Sequence, residues 1–323
     1  MKKCISLFLI SALLYATLSF TACHRADDNG DDIKILCTIF PIYDWVKNVV
    51  GDVEGVQVSL LTENGTDLHS FQPSFGDMAK IKDSDVVIFV GGDSDEWVAD
   101  SIDEDSVAVE LCALDSVALY EVSADSIAHA HTHDQEECHQ AHDHTQGFDE
   151  HMWLSVKNAQ AVCREILSLL CEMDCENAQE YTKNTERYVS ELDSLDTRMS
   201  SLSEKTATTL IFADRFPFVY LFSDYGIDFF AAFEGCSTDT DADIETVMSL
   251  SKKMDELSAT HIFVTEAPID GLADSIIRQT KSRAATVITL NSMQSLGKSD
   301  IERGVTYASI MSANVSALEQ LFE

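Results

Sequence analysis

The sequence predicts an α/β fold in which two lobes with mostly parallel sheets are joined by one long helix. Strand-like and helix-like segments alternate before residue 124 and again after residue 206, as expected for βαβ units. Between Gly147 and Pro217 there is neither Gly nor Pro, which favours long helices in the middle of the chain. The chain has 323 residues, 45% of them hydrophobic, and can therefore bury the cores of two ordinary domains.

The first lobe is predicted over residues 33–170. Pro41 stands in the first turn of a predicted helix, and Gly51 follows its end. The apolar run at 86–90 is uninterrupted and is closed by Gly91 and Gly92, which is typical of a buried parallel strand. The strands predicted for this lobe cover 33–39, 56–61, 86–90 and 107–111, and the helices cover 41–50, 76–82 and 158–171.

A linking helix is predicted over residues 171–205, and its most regular part, 177–205, would span roughly 44 Å. Its apolar side chains recur at spacings of three to seven residues, which gives one buried face. They are Tyr181, Tyr188, Leu192, Leu195, Met199 and Leu202. The second lobe is predicted over residues 206–323. Its strands cover 209–212, 227–231, 261–264 and 286–290, and its helices cover 244–257, 271–281 and 306–322.

The N-terminus is typical of a targeting segment. Lys2 and Lys3 precede a short apolar stretch, and residues 19–23 read Ser-Phe-Thr-Ala-Cys. This pattern predicts a signal peptide over residues 1–22, and its end resembles the bacterial lipobox. We therefore expect Cys23 to carry the lipid that anchors the mature chain to the outer face of the cell membrane, with residues 23–32 as a polar tether. The alternative is a plain signal peptide with a chance cysteine.

The charge of the chain excludes some partners. Lys and Arg number 21 against 56 Asp and Glu, for a formal net charge of −35. No basic footprint for nucleic acid is available, and electrostatic docking to anionic lipid is disfavoured. The segment 124–147 breaks the alternating pattern with a polar loop rich in histidine. Its histidines are His129, His131, His133, His139, His142 and His144.

Two further histidines stand in motifs with metal-site character. His69 lies in Asp-Leu-His-Ser-Phe-Gln-Pro at 67–73, after a predicted strand, where α/β folds bind ligands. We expect Asp67 to bond the second ring nitrogen of His69, as metal-bound histidines require. His151 lies in Phe-Asp-Glu-His-Met-Trp-Leu at 148–154, and we expect Trp153 to pack beneath it. Taken singly, each could instead be an ordinary surface histidine.

Together the two motifs resemble the metal-specific substrate-binding proteins of bacterial ABC importers, the zinc and manganese lipoproteins. The opening Thr-Ile-Phe-Pro at 38–41, the strand at 86–90 and the Tyr-Gly at 225–226 also match. The resemblance covers the chain from the lipobox onward. It implies a rigid linking helix, a metal site in the cleft between the lobes, and His69 and His151 as two ligands. It also implies a membrane permease as partner, a monomeric binding protein and no catalysis.

The chain departs from the family pattern at the other two ligand positions. Arg215 occupies the place of the usual third histidine and cannot bind a metal, because it stays protonated. Asp214 beside it is the candidate ligand there, with a structural Asp214–Arg215 ion pair as the alternative. The fourth family ligand is an acid. Glu266 is one candidate, unless it only caps the turn before Pro268, and the other position holds Asn-Ser-Met-Gln at 291–294. Glu234 and Cys236 are further options.

Zinc is the metal we expect, since histidine nitrogens with one carboxylate suit it, and manganese, which prefers more oxygen ligands, is the runner-up. The loop histidines could collect zinc beside the main site, or the loop could be a dispensable insert. Two other functions stay open. One is an adhesin lipoprotein stabilised by metal. The other is a zinc hydrolase, because Asp149-Glu150-His151 places a possible base beside a ligand, although the H-E-x-x-H and G-x-S-x-G motifs are missing.

Overall fold

A computed structural model describes residues 32–121, 127, 148–204, 209–235 and 243–322. The predicted signal peptide, the predicted lipidation site Cys23 and the six histidines of the loop lie outside these residues. Within these ranges, no helix combines the length and apolar character needed to cross a bilayer.

The first lobe is built on a four-stranded parallel sheet with the order β2-β1-β3-β4. Its strands are β1 (Ile33–Cys37), β2 (Val56–Leu60), β3 (Val86–Phe89) and β4 (Val107–Glu110). The helix α1 (Phe40–Val50) connects β1 to β2, and the helix α2 (Phe75–Lys82) connects β2 to β3. Because every pair is parallel, the carboxyl ends of the four strands meet at one edge of the sheet, where the loops that carry function gather.

The second lobe repeats this plan with the parallel order β6-β5-β7-β8. Its strands are β5 (Leu210–Phe216), β6 (Phe229–Glu234), β7 (His261–Thr265) and β8 (Thr286–Leu290). Two helices precede β5 in the chain, α3 (Val156–Met173) and α4 (Ala178–Ser203). The helices of the second lobe are α5 (Val219–Ser223), α6 (Ile244–Leu257), α7 (Leu272–Gln279), α8 (Lys298–Glu302) and α9 (Tyr307–Glu319).

The long helix α4 runs between the lobes. It packs against α1 and α3 on one side and against α9 of the second lobe on the other. Its buried face contains all six apolar residues of the predicted stripe. With 26 residues it is about 39 Å long. A single helix therefore contributes to the cores of both halves.

The buried carboxylate of Asp44 joins these helices at one oxygen. Its Oδ2 accepts hydrogen bonds from the Tyr188 hydroxyl at 3.1 Å and from the Tyr307 backbone N–H at 3.2 Å. Asn48 donates to the same atom at 3.1 Å. Burial raises the pKa of Asp44 from 3.8 to about 6. One carboxylate oxygen thus connects α1, α4 and the start of α9.

Trp153 forms a second connection between the lobes. Its indole N–H donates to the carbonyl oxygen of Ser292 at 2.9 Å, and its own carbonyl oxygen accepts from the Tyr307 hydroxyl at 2.8 Å. All three residues are buried. The chain segment that follows the histidine-rich loop is therefore fixed to the second lobe by direct hydrogen bonds.

Candidate metal centre

The two sheets turn their carboxyl edges toward a common cleft. His69 lies in a 3₁₀ turn (Leu68–Ser70) that follows β2, and His151 immediately precedes a second 3₁₀ turn (Met152–Leu154) at the start of α3. From the second lobe, Gln294 follows β8 and contacts His151. Loops at the ends of parallel strands in both lobes thus supply the polar side chains of the site.

The imidazole rings of His69 and His151 face each other although 82 residues separate them. Their Nε2 atoms are 3.1 Å apart, and the ring centroids are 5.1 Å apart. His151 is fully buried, while His69 is partly exposed. The structure therefore brings together the two histidines that the motifs single out, one at the floor of the cleft and one near its mouth.

His151 is held by Asp149. The carboxylate Oδ1 of Asp149 accepts from the ring Nδ1–H at 2.7 Å and from the backbone N–H of the same histidine at 2.8 Å. The Tyr220 hydroxyl donates to the Asp149 carbonyl oxygen at 2.5 Å. With its proton on Nδ1, His151 presents a lone pair at Nε2. Trp153 packs edge-on against this ring, as predicted, with the two ring centroids 5.0 Å apart.

His69 is held by Ser94, not by Asp67. Its Nδ1 lies 2.6 Å from the Ser94 hydroxyl, which itself donates to Glu150 Oε1 at 3.1 Å. Because the hydroxyl proton goes to the carboxylate, Nδ1 must donate to Ser94, and Nε2 of His69 also presents a lone pair. The prediction for Asp67 is wrong: its carboxylate caps the turn by accepting from the His69 backbone N–H.

Glu150 supports His69 indirectly, by accepting two hydrogen bonds from Ser94. Its second oxygen accepts from the Ser94 backbone N–H at 3.2 Å, so both oxygens are used by one residue. The pKa of the Glu150 carboxyl is raised overall, because burial raises it more than the Ser94 hydrogen bonds lower it. A side chain added at Gly92 would collide with Glu150. Glycine is required at that position so that the carboxylate can approach the loop after β3.

Two facing lone pairs repel each other unless a cation lies between them. Nitrogens that bind one zinc tetrahedrally at ~2.0–2.1 Å are about 3.3 Å apart, close to the distance seen here. The pKa of His69 is lowered to about 4, chiefly by burial and then by His151, with a small contribution from Arg215, against opposing effects of Asp67 and Asp149. The ring is therefore neutral at physiological pH, which is the form that binds metal.

The second lobe supplies Gln294 to the pair. Its amide nitrogen lies 2.9 Å from Nε2 of His151, and its amide oxygen lies 2.8 Å from the Ser292 hydroxyl oxygen, whose one proton goes to Glu266. Glu266 accepts from the Ser292 backbone N–H at 2.8 Å and from its hydroxyl at 2.7 Å. The Glu266 carboxylate thus reaches His151 only through Ser292 and Gln294.

Asp214 is fully buried and has its own partners. Its Oδ2 accepts from the backbone N–H and the hydroxyl of Thr265, at 3.0 and 2.6 Å, and its Oδ1 accepts from the backbone N–H of Arg215. The carboxylate ties β5 to the end of β7. The Asp214–Arg215 ion pair considered as an alternative is absent from the described residues, because only the backbone of Arg215 takes part.

The described residues contain no group of three or more His, Cys, Asp and Glu side chains placed to hold a metal ion. His69 and His151 are together, but Asp214 and Glu266 are not gathered with them. Glu234 is exposed at the end of β6, and Cys236 lies outside the described residues. A side chain at Gly235 would approach Cε1 of His151 to 2.9 Å, so the loop after β6 packs directly on that ring.

Comparison with known proteins gives a consistent result. The model of the family described as zinc-uptake complex component A, periplasmic (ZnuA) matches residues 35–321. The zinc-binding lipoprotein AdcA of Streptococcus pneumoniae R6 is 28% identical, over 99% of this chain and 61% of its own length. The chain therefore spans about three fifths of that relative. The high-affinity zinc uptake system protein ZnuA of Bacillus subtilis 168 is 26% identical, over 98% of this chain and 97% of its own length.

Solved structures share the fold. The metal-dependent lipoprotein YcdH of Bacillus subtilis gives a TM-score of 0.69 at 23% identity, covering 90% of this chain and 98% of its own. The Zn(II)-bound ZnuA-like domain of Streptococcus pneumoniae AdcA gives 0.68 at 24% identity, with the same coverage. The predicted fold of two α/β lobes with parallel sheets is confirmed. With the family model matched across nearly the whole chain, this protein belongs to the ZnuA family of periplasmic zinc-uptake components.

Proposed function

We propose that this protein captures zinc outside the cytoplasm and delivers it to the membrane permease of an ABC importer. The observation that carries the proposal is the facing pair of Nε2 lone pairs of His69 and His151. Each is fixed by a partner on the opposite ring nitrogen, as metal-binding imidazoles require. Relatives named for zinc binding and zinc uptake support the same cargo.

Nitrogen donors favour zinc over manganese, which prefers a larger set of oxygen ligands. Manganese remains the runner-up cargo. The zinc hydrolase alternative loses its possible base, because Asp149 is engaged by the ring of His151. Both oxygens of Glu150 accept hydrogen bonds from Ser94, so the carboxylate is engaged in positioning His69.

The proposal includes a lipid anchor at Cys23 and an auxiliary role for the histidine-rich loop. The described residues that flank the loop support that role. Ile127 pairs with Ala231 of β6, and Asp149 bonds the ring of His151. Ile127, inside the segment 124–147, is thus attached to the second lobe, and the chain that follows the loop carries His151, to which loosely held zinc could pass. Deletion of residues 128–147 should reduce zinc stoichiometry and uptake from zinc-poor medium. Unchanged values would make the loop a dispensable insert.

Zinc titration of the purified protein tests the main proposal. One tight zinc is expected, and His69→Ala or His151→Ala should weaken it by more than the roughly 10–100-fold typical of outer-sphere substitutions. His261→Ala is the matched control, because His261 lies in β7 and contacts Thr260. Equal affinity in all three variants would overturn the proposal. Tight zinc that does not exchange on addition of a chelator would favour the metal-stabilised adhesin.

A further inference from the structure

Two glycines lie on opposite lobes, each in a loop that carries a residue of the candidate centre. Gly65 follows β2 and comes shortly before the turn that holds His69. Gly297 follows β8 and comes shortly after Gln294, which contacts His151. The two loops that border the cleft therefore each contain one residue without a side chain.

These loops meet backbone to backbone. The N–H of Lys298 donates to the carbonyl oxygen of Glu63 at 2.8 Å. A Cβ atom at Gly297 would overlap the backbone nitrogen of Gly65 and would approach the Glu63 carbonyl oxygen to 2.5 Å. A Cβ atom at Gly65 would approach the Ser295 carbonyl oxygen to 2.7 Å. A side chain at either position would therefore push the two loops apart.

Both loops are held in place, so neither could move aside alone. In the first lobe, the Thr62 hydroxyl donates to a backbone carbonyl just beyond β1 at 3.0 Å, and the Lys80 ammonium donates to the Glu63 carboxylate at 2.8 Å. In the second lobe, the Asp300 carboxylate accepts from the Gly297 N–H at 3.0 Å. A clash with these backbone atoms would be relieved most readily by separation of the lobes.

We propose that Gly65 and Gly297, with the hydrogen bond from Lys298 to Glu63, form a glycine latch that closes the cleft and slows the departure of zinc. The glycines are positioning residues. With the latch made, the loop of Gln294 is kept against the histidine pair, and with the latch broken that loop can withdraw. This inference rests on the proposed capture of zinc at the same site.

Gly297→Ala tests the steric part of the latch. Its φ of −141° is one that alanine adopts without strain, so the substitution adds only the clash. Zinc release into excess chelator, followed by stopped flow, should become about fivefold faster or more, as loss of one net hydrogen bond requires. The rate of zinc association should change little. Gly76→Ala is the matched control, because among the described atoms a Cβ there would meet only the Ser74 hydroxyl, at 3.5 Å.

Gly65→Ala gives a second test that corrects for backbone strain. Gly65 and Gly271 have nearly the same positive φ, 68° and 69°, so alanine is strained equally at both. No described atom lies within 4 Å of a Cβ at Gly271, whereas one at Gly65 meets the opposite lobe. Zinc release should therefore be faster in Gly65→Ala than in Gly271→Ala.

Exchange of the Lys298 amide proton reports the latch itself. Lys298 is exposed and is the first residue of α8, where an N–H has no partner within the helix. Its protection therefore depends on the bond to Glu63. In the zinc-loaded wild type this amide should be protected, and Gly297→Ala should lose that protection while the amide of Ile88, in the core strand β3, keeps its own.

The two levels of the proposal fail differently. If Gly297→Ala releases zinc at the rate of Gly76→Ala, or if the Lys298 amide is unprotected in the zinc-loaded wild type, the latch is wrong and the capture function stands. If His69→Ala binds zinc as tightly as the wild type, the capture site itself is wrong, and the role of the latch in zinc retention fails with it.

Discussion

The Nε2 atom of His69 lies 3.1 Å from that of His151, and neither ring is free to turn away. Asp149 holds one ring, and Ser94 holds the other. The donors are thus oriented before any metal arrives, so little conformational entropy is lost on binding.

Ser94 should act on zinc affinity through His69. Ser94→Ala removes the acceptor for the Nδ1 proton and frees the ring to rotate. We expect zinc affinity to fall roughly 10–100-fold, as for other partners of metal-bound histidines. Chelator competition measures the change. Ser106→Ala is a suitable control, since that hydroxyl donates to Ser84 far from the cleft. An unchanged affinity in Ser94→Ala would show that His69 needs no such support.

Gln294 should set how readily zinc reaches His151. Its amide N–H occupies the lone pair that the metal must take. Gln294→Glu replaces this donor with a carboxylate and should tighten zinc binding, because zinc accepts carboxylate oxygens as ligands. Gln279→Glu, exposed at the end of α7, controls for the added charge. Weaker zinc binding in Gln294→Glu would contradict this role.

Asp214 and Glu266 should contribute more to stability than to zinc affinity. Asp214→Ala leaves buried donors of Thr265 without an acceptor, at about 1–3 kcal/mol for each. Chemical denaturation should register that loss. Glu266→Ala should have a smaller effect, since the Ser292 hydroxyl can then turn its proton to the amide oxygen of Gln294. If either variant lost zinc as strongly as His69→Ala while keeping its unfolding midpoint, that carboxylate would be a ligand, as the sequence suggests.

Asp44 should make stability depend on pH. Burial raises its pKa to about 6, above the 3.8 of an ordinary aspartate, so the folded state favours the protonated form. Its contribution is therefore greatest below about pH 4 and is lost as the pH rises through about 6. The loss amounts to roughly 3 kcal/mol. Asp44→Asn cannot titrate, so its stability relative to the wild type should increase from pH 4 to pH 7 in urea denaturation. A constant difference would contradict the shifted pKa.

Most of the fold could be predicted because the turn signals are strong. Helix α6 and strand β8 have the predicted bounds. The short helices α5 and α8 were not predicted, since five residues are too few to display a helical period. Strand β5 extends four residues beyond its predicted end because it continues past an irregularity between Phe212 and Arg215.

The site was less predictable than the fold. The motifs identify His69 and His151, but nothing local connects Ser94 with His69, which is 25 residues away. The one available signal is the position of Ser94 after a buried parallel strand, where polar residues face the cleft. For Asp67, proximity in sequence was misleading, because a residue two positions before a turn is better placed to cap its backbone than to reach its ring.

The attachment of Trp153 to Ser292 also has a mechanical meaning. His151 comes from the first half of the chain, yet its neighbourhood is fastened to the second lobe by Trp153, Tyr220 and Gln294. The ring of His69 is held by Ser94 of the first lobe. Glu150, beside His151, is bonded to Ser94 as well, so this segment is held by both lobes at once. Opening of the cleft would strain the segment and change the distance between the two imidazoles, and a longer distance would weaken the chelate and release the proposed zinc without any change in protonation.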